Sequence, residues 1–339
     1  MIRNNAKWII AALLLVFVGS ALLPVISKFF SGDVNAASVE VKPLPEINIP
    51  KFNGDSAYTL TEKLVSFGPR VTSTEGATKV KNWIVAQFKK NGADVIEQNF
   101  KDKTYDGKPL NCTNIIARYN LQATKRIVLA AHWDSRNVAD QDSIKPNEPI
   151  LGADDSGSAI GMLIEMGRQL QAQPLSNVGV DIVLFDAEDL GQKDSNDGWC
   201  LGSKYWSAHP HTPGYVASYG ILLDMAGAKG ARFVKETVSM QYAPSVVEKV
   251  WRVARQKYGY DHLFVDEAPQ GATTDDHLYV NKIAKIPMID IINRPTNRFF
   301  GEYWHTHNDD MSVIDRETLR AVGQTLLGVL HYEQAGAFQ

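Results

Sequence analysis

Several short stretches of this chain carry residue types that can bind a cation and move a proton. HWDS at 132–135 supplies His132 and Asp134, and GADDSGS at 152–158 supplies Asp154 and Asp155. FDAEDLG at 185–191 supplies Asp186, Glu188 and Asp189, while YWHTHNDD at 303–310 supplies His305 and His307 directly after Trp304. Asp224 sits near the end of the apolar run YGILLDMAG, and TTDDH brings Asp275, Asp276 and His277. Adjacent acids at the end of an apolar run are costly unless a cation meets them. A metal ion would meet them, and a carboxylate beside the metal but not bound to it could serve as a general base.

Each stretch alone has a plainer reading. A histidine at a strand end is more often a hydrogen-bonded structural residue than a ligand. Asp154 suits the N-cap of a helix beginning near Ser156, which leaves Asp155 as the better ligand candidate. The Glu188–Asp189 pair could be loop surface charge. DSNDG at 194–198 has its glycine at the wrong position for a calcium loop and no closing Glu, so it reads as a solvated turn.

The elements that must position these residues alternate. Apolar runs read as strands at RIVLAAH (126–132), VDIVLFD (180–186), YGILLDMAG (219–227) and IPMIDII (286–292). Helical spacing appears in AYTLTEKLVSF, in TEGATKVKNWIVAQFKKNG, from about 156 to 171, from about 245 to 258, and from about 315 to 334. Strands within 95–119 add antiparallel edge pairing. Short apolar strands separated by helices imply an α/β fold, with a largely parallel mixed central sheet and helices on both faces. Open parallel sheets bind ligands at the carboxyl ends of their strands, so one rim should collect these acids and imidazoles.

Composition narrows the class. A chain of 339 residues, 44% hydrophobic with formal net charge −3, reads as a globular enzyme and offers no basic patch for nucleic acid. Cys112 and Cys200 are too few for a disulfide framework; a single bridge and two buried thiols both remain open. Arg3 and Lys7 precede an uncharged run from Trp8 to Ile26, the pattern of an export signal, cleaved or retained as a membrane anchor. We therefore expect a signal or anchor segment over 1–36, an extended Pro-containing linker over 37–53, and one catalytic domain over 54–339. A monomeric, exported, periplasmic protein, with that first segment able to attach it to the inner membrane, is the matching expectation.

Taken in order, HxD, DDSG, an acidic pair at a strand end, LLD, DDH and WHT resemble the zinc-dependent aminopeptidases and their relatives the glutaminyl-peptide cyclotransferases, from about Phe67-Gly68-Pro69-Arg70 onward. Two chemistries compete on that scaffold. A two-zinc aminopeptidase would use His132, Asp155 as the bridge, Asp189, Asp224 and His305, with Glu188 as base. The cyclotransferase resemblance implies one zinc held by Asp155, Asp189 and His305, with His132 and Asp224 kept but free of a second metal. The doubled acid at Asp275–Asp276 and the indole of Trp304 favour the cyclotransferases. Where the mammalian enzymes have a Glu pair, this chain has Glu188–Asp189.

That resemblance implies conversion of N-terminal glutamine of peptides and proteins to pyroglutamate, with release of ammonia. Glu188 would shuttle the proton, Asp224 and Asp275 would share a hydrogen bond that tunes it, and Trp304 with Trp199 or Trp206 would wall the pocket. For Trp206, core packing is the better reading. A binding domain that has lost its chemistry is the third class, disfavoured because every expected ligand and the acid are present.

Overall fold

The computed structural model describes residues 43–267 and 271–338. The expected signal or anchor segment over 1–36 lies outside the described residues. Among the described residues, no helix is long and apolar enough to cross a membrane. A compact unit runs from Leu44 to Gln339. Residues 44–53 have no regular secondary structure, yet they are packed: Leu44, Ile47, Ile49 and Phe52 lie against the main core. The Phe52 N–H donates to Gln324 Oε1 at 2.8 Å, and Gln324 Nε2 donates back to the Pro50 carbonyl at 3.1 Å.

Six strands form one mixed sheet: β1 (Asp94–Lys103), β2 (Pro109–Tyr119), β3 (Lys125–His132), β4 (Val178–Phe185), β5 (Tyr219–Asp224) and β6 (Met288–Ile292). Their order is β1-β2-β4-β3-β5-β6, with β4, β3, β5 and β6 parallel and the β1–β2 ribbon joined antiparallel to β4. The α/β expectation holds, including the antiparallel addition near 95–119.

The parallel strands read as unbroken apolar runs because both of their faces are buried. In β3, Ile127, Leu129 and Ala131 enter the larger core while Val128 and Ala130 enter the smaller one. The larger core is covered by α1 (Gly54–Val65), α2 (Glu75–Lys90), α3 (Ser158–Ala172) and α8 (Arg316–Gln334). Trp206, on α4 (Leu201–Ala208), closes the smaller one with its ring edge against Phe185, so it packs the core as its sequence setting suggested. Asp181 interrupts β4 without cost to the ladder, since Arg126 pairs with both of its oxygens and the Tyr215 hydroxyl adds a third bond.

Three short helices were not legible beforehand, α4, α5 (Thr237–Tyr242) and α7 (Asp276–Tyr279). α5 is capped by Glu236, whose carboxylate accepts from the Val238 and Ser239 amides, a cap outside the usual Ser, Thr, Asp and Asn set. The helix expected over 245–258 is α6 (Pro244–Arg252), continued by a wider π-type turn through Lys257. A final short helix, α7 (Asp276–Tyr279), follows the TTD segment.

Candidate active site

Because β3, β4 and β5 are parallel and in register, their carboxyl ends finish on one rim, with His132 level with Phe185. Beyond β4 the chain turns sharply at Ala187, which has φ 55°, and presents Glu188 and Asp189. This turn is held by side chains that the sequence left without a role. Asp134 Oδ1 and Oδ2 accept from the amides of Glu188 and Asp189, each at 3.1 Å. Arg136 donates to the carbonyls of Asp189 and Gly191 at 2.9 and 2.8 Å. Asp186 turns away from the rim, accepting from the Thr72 hydroxyl and the Thr113 amide.

The GADDSGS segment forms a kinked turn over Ala153–Gly157. Asp154 does not cap the following helix, which has no side-chain cap. It is spent instead on tertiary structure, accepting from the Gly227 amide at 2.8 Å and the Tyr303 hydroxyl at 2.5 Å. Asp309 accepts from the amides of Asp154 and Asp155, and the buried guanidinium of Arg70 donates to the carbonyls of Trp133, Leu151 and Gly152. Asp155 is thereby aimed at the rim by backbone bonds on either side.

Asp155, Asp189 and His305 come together, each offering a ligand atom within 4.8 Å of the others. Both carboxylate oxygens of Asp189 are buried without a hydrogen-bond partner. His305 Nε2 lies 3.2 Å from Asp189 Oδ1 and 3.8 Å from Asp155 Oδ2, while its Nδ1 lies 2.9 Å from Asp140 Oδ1. A carboxylate behind a histidine is the usual way to orient a metal-binding imidazole. Two carboxylates, one imidazole and an open fourth direction suit zinc, and the two orphaned oxygens are what a cation would satisfy. The residues present therefore fit the ion.

A second group, His132, Asp155 and Asp224, converges beside the first. Here the imidazole is already engaged: His132 Nε2 is 2.9 Å from Asp155 Oδ1 and 3.4 Å from Asp224 Oδ1. Burial alone would keep His132 neutral, but Asp134, Asp155 and Asp224 around it hold its pKa well above the ordinary value. Burial likewise pushes Glu188 well above the usual carboxylate range; His132 opposes that and Asp189, Asp275 and Asp276 reinforce it. Asp224 is raised for the same reason, with Asp155 the next cause. A dication among these groups would draw its carboxylate ligands back to the ionised form.

The site opens into a cavity of about 200 Å³ lined by Asp155, Glu188, Asp189, Asp224, Asp275 and His305, with Trp199, Phe299, Phe300 and Trp304 among its walls. The His305 ring is flanked by two indoles: Trp304 at 3.7 Å between centroids and 23° between planes, and Trp199 at 6.1 Å and 9°. Phe300 packs on Trp304 at 4.6 Å. Ser195 and Asn196, from the turn expected to be solvated, form part of the rim. His277 and His307 do not join it: His277 Nε2 is 3.1 Å from Glu236 behind the pocket, and His307 Nδ1 is 2.8 Å from Asp142. Cys112 and Cys200 are both buried and free. Asp275 converges with His277 and Asp290, each offering a side-chain atom within 4.8 Å of the others, and burial raises both carboxyls above their ordinary range, that of Asp290 further through the charge of Asp275. Asp275 acts on Asp224 through charge, raising its carboxyl further.

Residues 114–330 match the model of peptidase family M28. The chain belongs to peptidase family M28. Among solved structures, it is similar to Bacteroides thetaiotaomicron glutaminyl cyclase bound to N-acetylhistamine, with 43% identity and a TM-score of 0.81 over 84% of this chain and 99% of that one. It is equally similar to a structure from Parabacteroides distasonis described as a Zn-dependent exopeptidase, with 44% identity and a TM-score of 0.81 over 84% and 99% of the two chains. Among curated proteins, the Drosophila melanogaster glutaminyl-peptide cyclotransferase is 29% identical over 276 residues, 74% of this chain and 73% of that protein. M28 likeness thus extends to proteins described by either chemistry, and the choice between them rests on the site.

Proposed function

We propose that this M28 protein is a zinc-dependent glutaminyl cyclase that converts N-terminal glutamine of peptides and proteins to pyroglutamate and ammonia. The observation that carries this reading is a single small cavity in which Glu188 stands beside the Asp155, Asp189 and His305 ligand set under a lid of Trp304, Phe300 and Trp199. It is sized for one side chain. The similarity to glutaminyl cyclases of bacteria and animals supports it.

One zinc per chain would be held by Asp155, Asp189 and His305, supplying Lewis-acid polarisation of the side-chain amide carbonyl and countercharge for the oxygen as negative charge develops there. In the reaction the substrate α-nitrogen attacks its own side-chain carbonyl carbon. The new C–N bond closes the five-membered ring, the bond to the amide nitrogen breaks, and no water enters. Glu188 takes the proton from the α-amine and delivers it to the departing nitrogen. Asp275, whose charge raises Glu188, and Asp224 beside it hold the proton inventory around Glu188. The aromatic lid holds the glutamine side chain and excludes the water that would hydrolyse it.

We place the protein outside the cytoplasm, exported or tethered through the uncharged run between Trp8 and Ile26, and acting there as a monomer on peptides with N-terminal glutamine. The test compares ammonia release from a Gln-initiated peptide with hydrolysis of a Leu-initiated one. Cyclisation should dominate, and Glu188→Gln should abolish it while zinc stays bound. Hydrolysis without cyclisation would assign the aminopeptidase chemistry instead.

A further inference from the structure

The main chain of Glu188 is fixed on both sides, its N–H by Asp134 and its carbonyl by the Cys200 amide at 2.9 Å. Its side chain reaches into the cavity. A carboxylate that must collect a proton from one nitrogen and deliver it to another has to be held in one rotamer. The holding contact is a thiol: Cys200 Sγ lies 3.1 Å from Glu188 Oε1. Cys200 is fully buried at the head of α4. A second observation marks the same spot. Asp275 Oδ2, buried and without a hydrogen-bond partner, belongs to a carboxylate that closes a triangle with Cys200 Sγ and Glu188, their ligand atoms all within 4.8 Å. With Glu188 ionised, as the acceptor of the substrate's proton must be, the thiol between the two acids is the donor. Burial and the neighbouring acids push it further in that direction.

We propose that Cys200 is a positioning residue for the proton carrier: its S–H donates to Glu188 Oε1, locks the carboxylate against rotation, and leaves Oε2 facing the substrate nitrogen. This rests on Glu188 being the proton carrier of the reading above. The backbone brace between Cys200 and Glu188 does not involve the thiol, so substituting the side chain isolates its contribution. Cys200 has φ 56°, a conformation that alanine and serine tolerate about as well as cysteine, so backbone strain stays comparable across the series.

The experiment measures kcat and KM for a Gln-initiated peptide, zinc content and thermal midpoint for Cys200→Ala, Cys200→Ser and Glu188→Gln. Loss of one hydrogen bond to a charged group should lower kcat about tenfold in Cys200→Ala, with KM within about twofold. Zinc should stay at the wild-type value and the midpoint should fall by no more than a few degrees, about what one buried hydrogen bond contributes. Serine keeps a donor, though on a bond shorter by about 0.4 Å, and should restore most of the loss. A Cys200→Ala enzyme with wild-type kcat overturns the proposal. So does equal impairment of alanine and serine variants, which would make the sulfur a packing group, or loss of zinc, which would make it a ligand. Activity retained by Glu188→Gln would instead bring down the parent reading, so the two failures are told apart.

Discussion

Asp134 offers the sharpest test of how the acidic turn is built. Its two oxygens accept from two consecutive amides, those of Glu188 and Asp189, at 3.1 Å each, in a fully buried setting. Asp134→Asn keeps one acceptor and turns an NH2 group towards a backbone N–H. One charge-assisted bond is lost, worth about 1.5–3 kcal/mol, and one buried donor is left unpaired, costing about 1–3 kcal/mol more. The total of roughly 2.5–6 kcal/mol should lower the thermal midpoint by about 4–10 °C in a chain of this size. The turn carries both the acid and a ligand, so kcat/KM should fall by at least about a hundredfold and zinc retention through dialysis should weaken. Scanning calorimetry, metal analysis and steady-state kinetics read these three effects separately. A variant that unfolds within about 1 °C of wild type with full zinc and full activity would show that the turn holds itself, and the reasoning would be wrong.

Three further outcomes follow from other parts of the site. A Cβ at Gly191 would overlap the Trp199 indole, so Gly191→Ala should displace that wall and raise KM about fivefold with a smaller effect on kcat; an unchanged KM would remove Trp199 from the substrate pocket. Asp189→Asn should lose zinc outright on dialysis, whereas Asp140→Asn, which weakens the bond behind His305 and the ion pair with Arg136, should weaken it roughly 10–100-fold; a full equivalent of zinc in Asp189→Asn would displace the ligand assignment. Glu236 supplies a pH test. Burial opposes its ionisation, but the His277 bond and the Val238 and Ser239 amides outweigh it and depress its pKa to about 2. Its stabilisation is therefore complete above its ordinary value near 4.5 and is lost as pH falls through about 2, amounting to about 3 kcal/mol. Glu236→Gln should be less stable than wild type at pH 7 and nearly equal to it at pH 2; a constant difference would exclude the linkage.

The sequence exposed the parts whose signal is local. Strands β3, β4, β5 and β6 were legible because burial on both faces makes each an apolar run, and the polar residues ending them mark the ligand rim of a parallel sheet. Glu188, Asp189 and Asp224 were named as candidates this way, whereas Asp155 and His305 lie on loops and were named from the order of the motifs and its resemblance. What stayed hidden works through tertiary proximity. Asp309 cradles an amide 155 residues earlier, and Asp140, in an irregular loop with no periodicity, stands behind His305. Asp290 sits inside an apolar strand, where an acid reads as a flaw until Asp275 is brought opposite it. Asp154 misled for the converse reason: an acid before a helix suits a cap, yet a tertiary claim from Gly227 and Tyr303 outbid the local one.

The loop from His305 to Asp309 has a consequence for biosynthesis. It delivers the imidazole that faces Asp155 and Asp189, and it also delivers the carboxylate that fixes the amides of Asp154 and Asp155. Both arrive late on the ribosome, after β6, the last strand of the sheet, has been made. A nascent chain ending before this loop can pair its strands, but it holds a knot of buried acids with its aiming bonds and its imidazole missing. Metal uptake through these ligands would then have to await the docking of this segment, after the strands have been made.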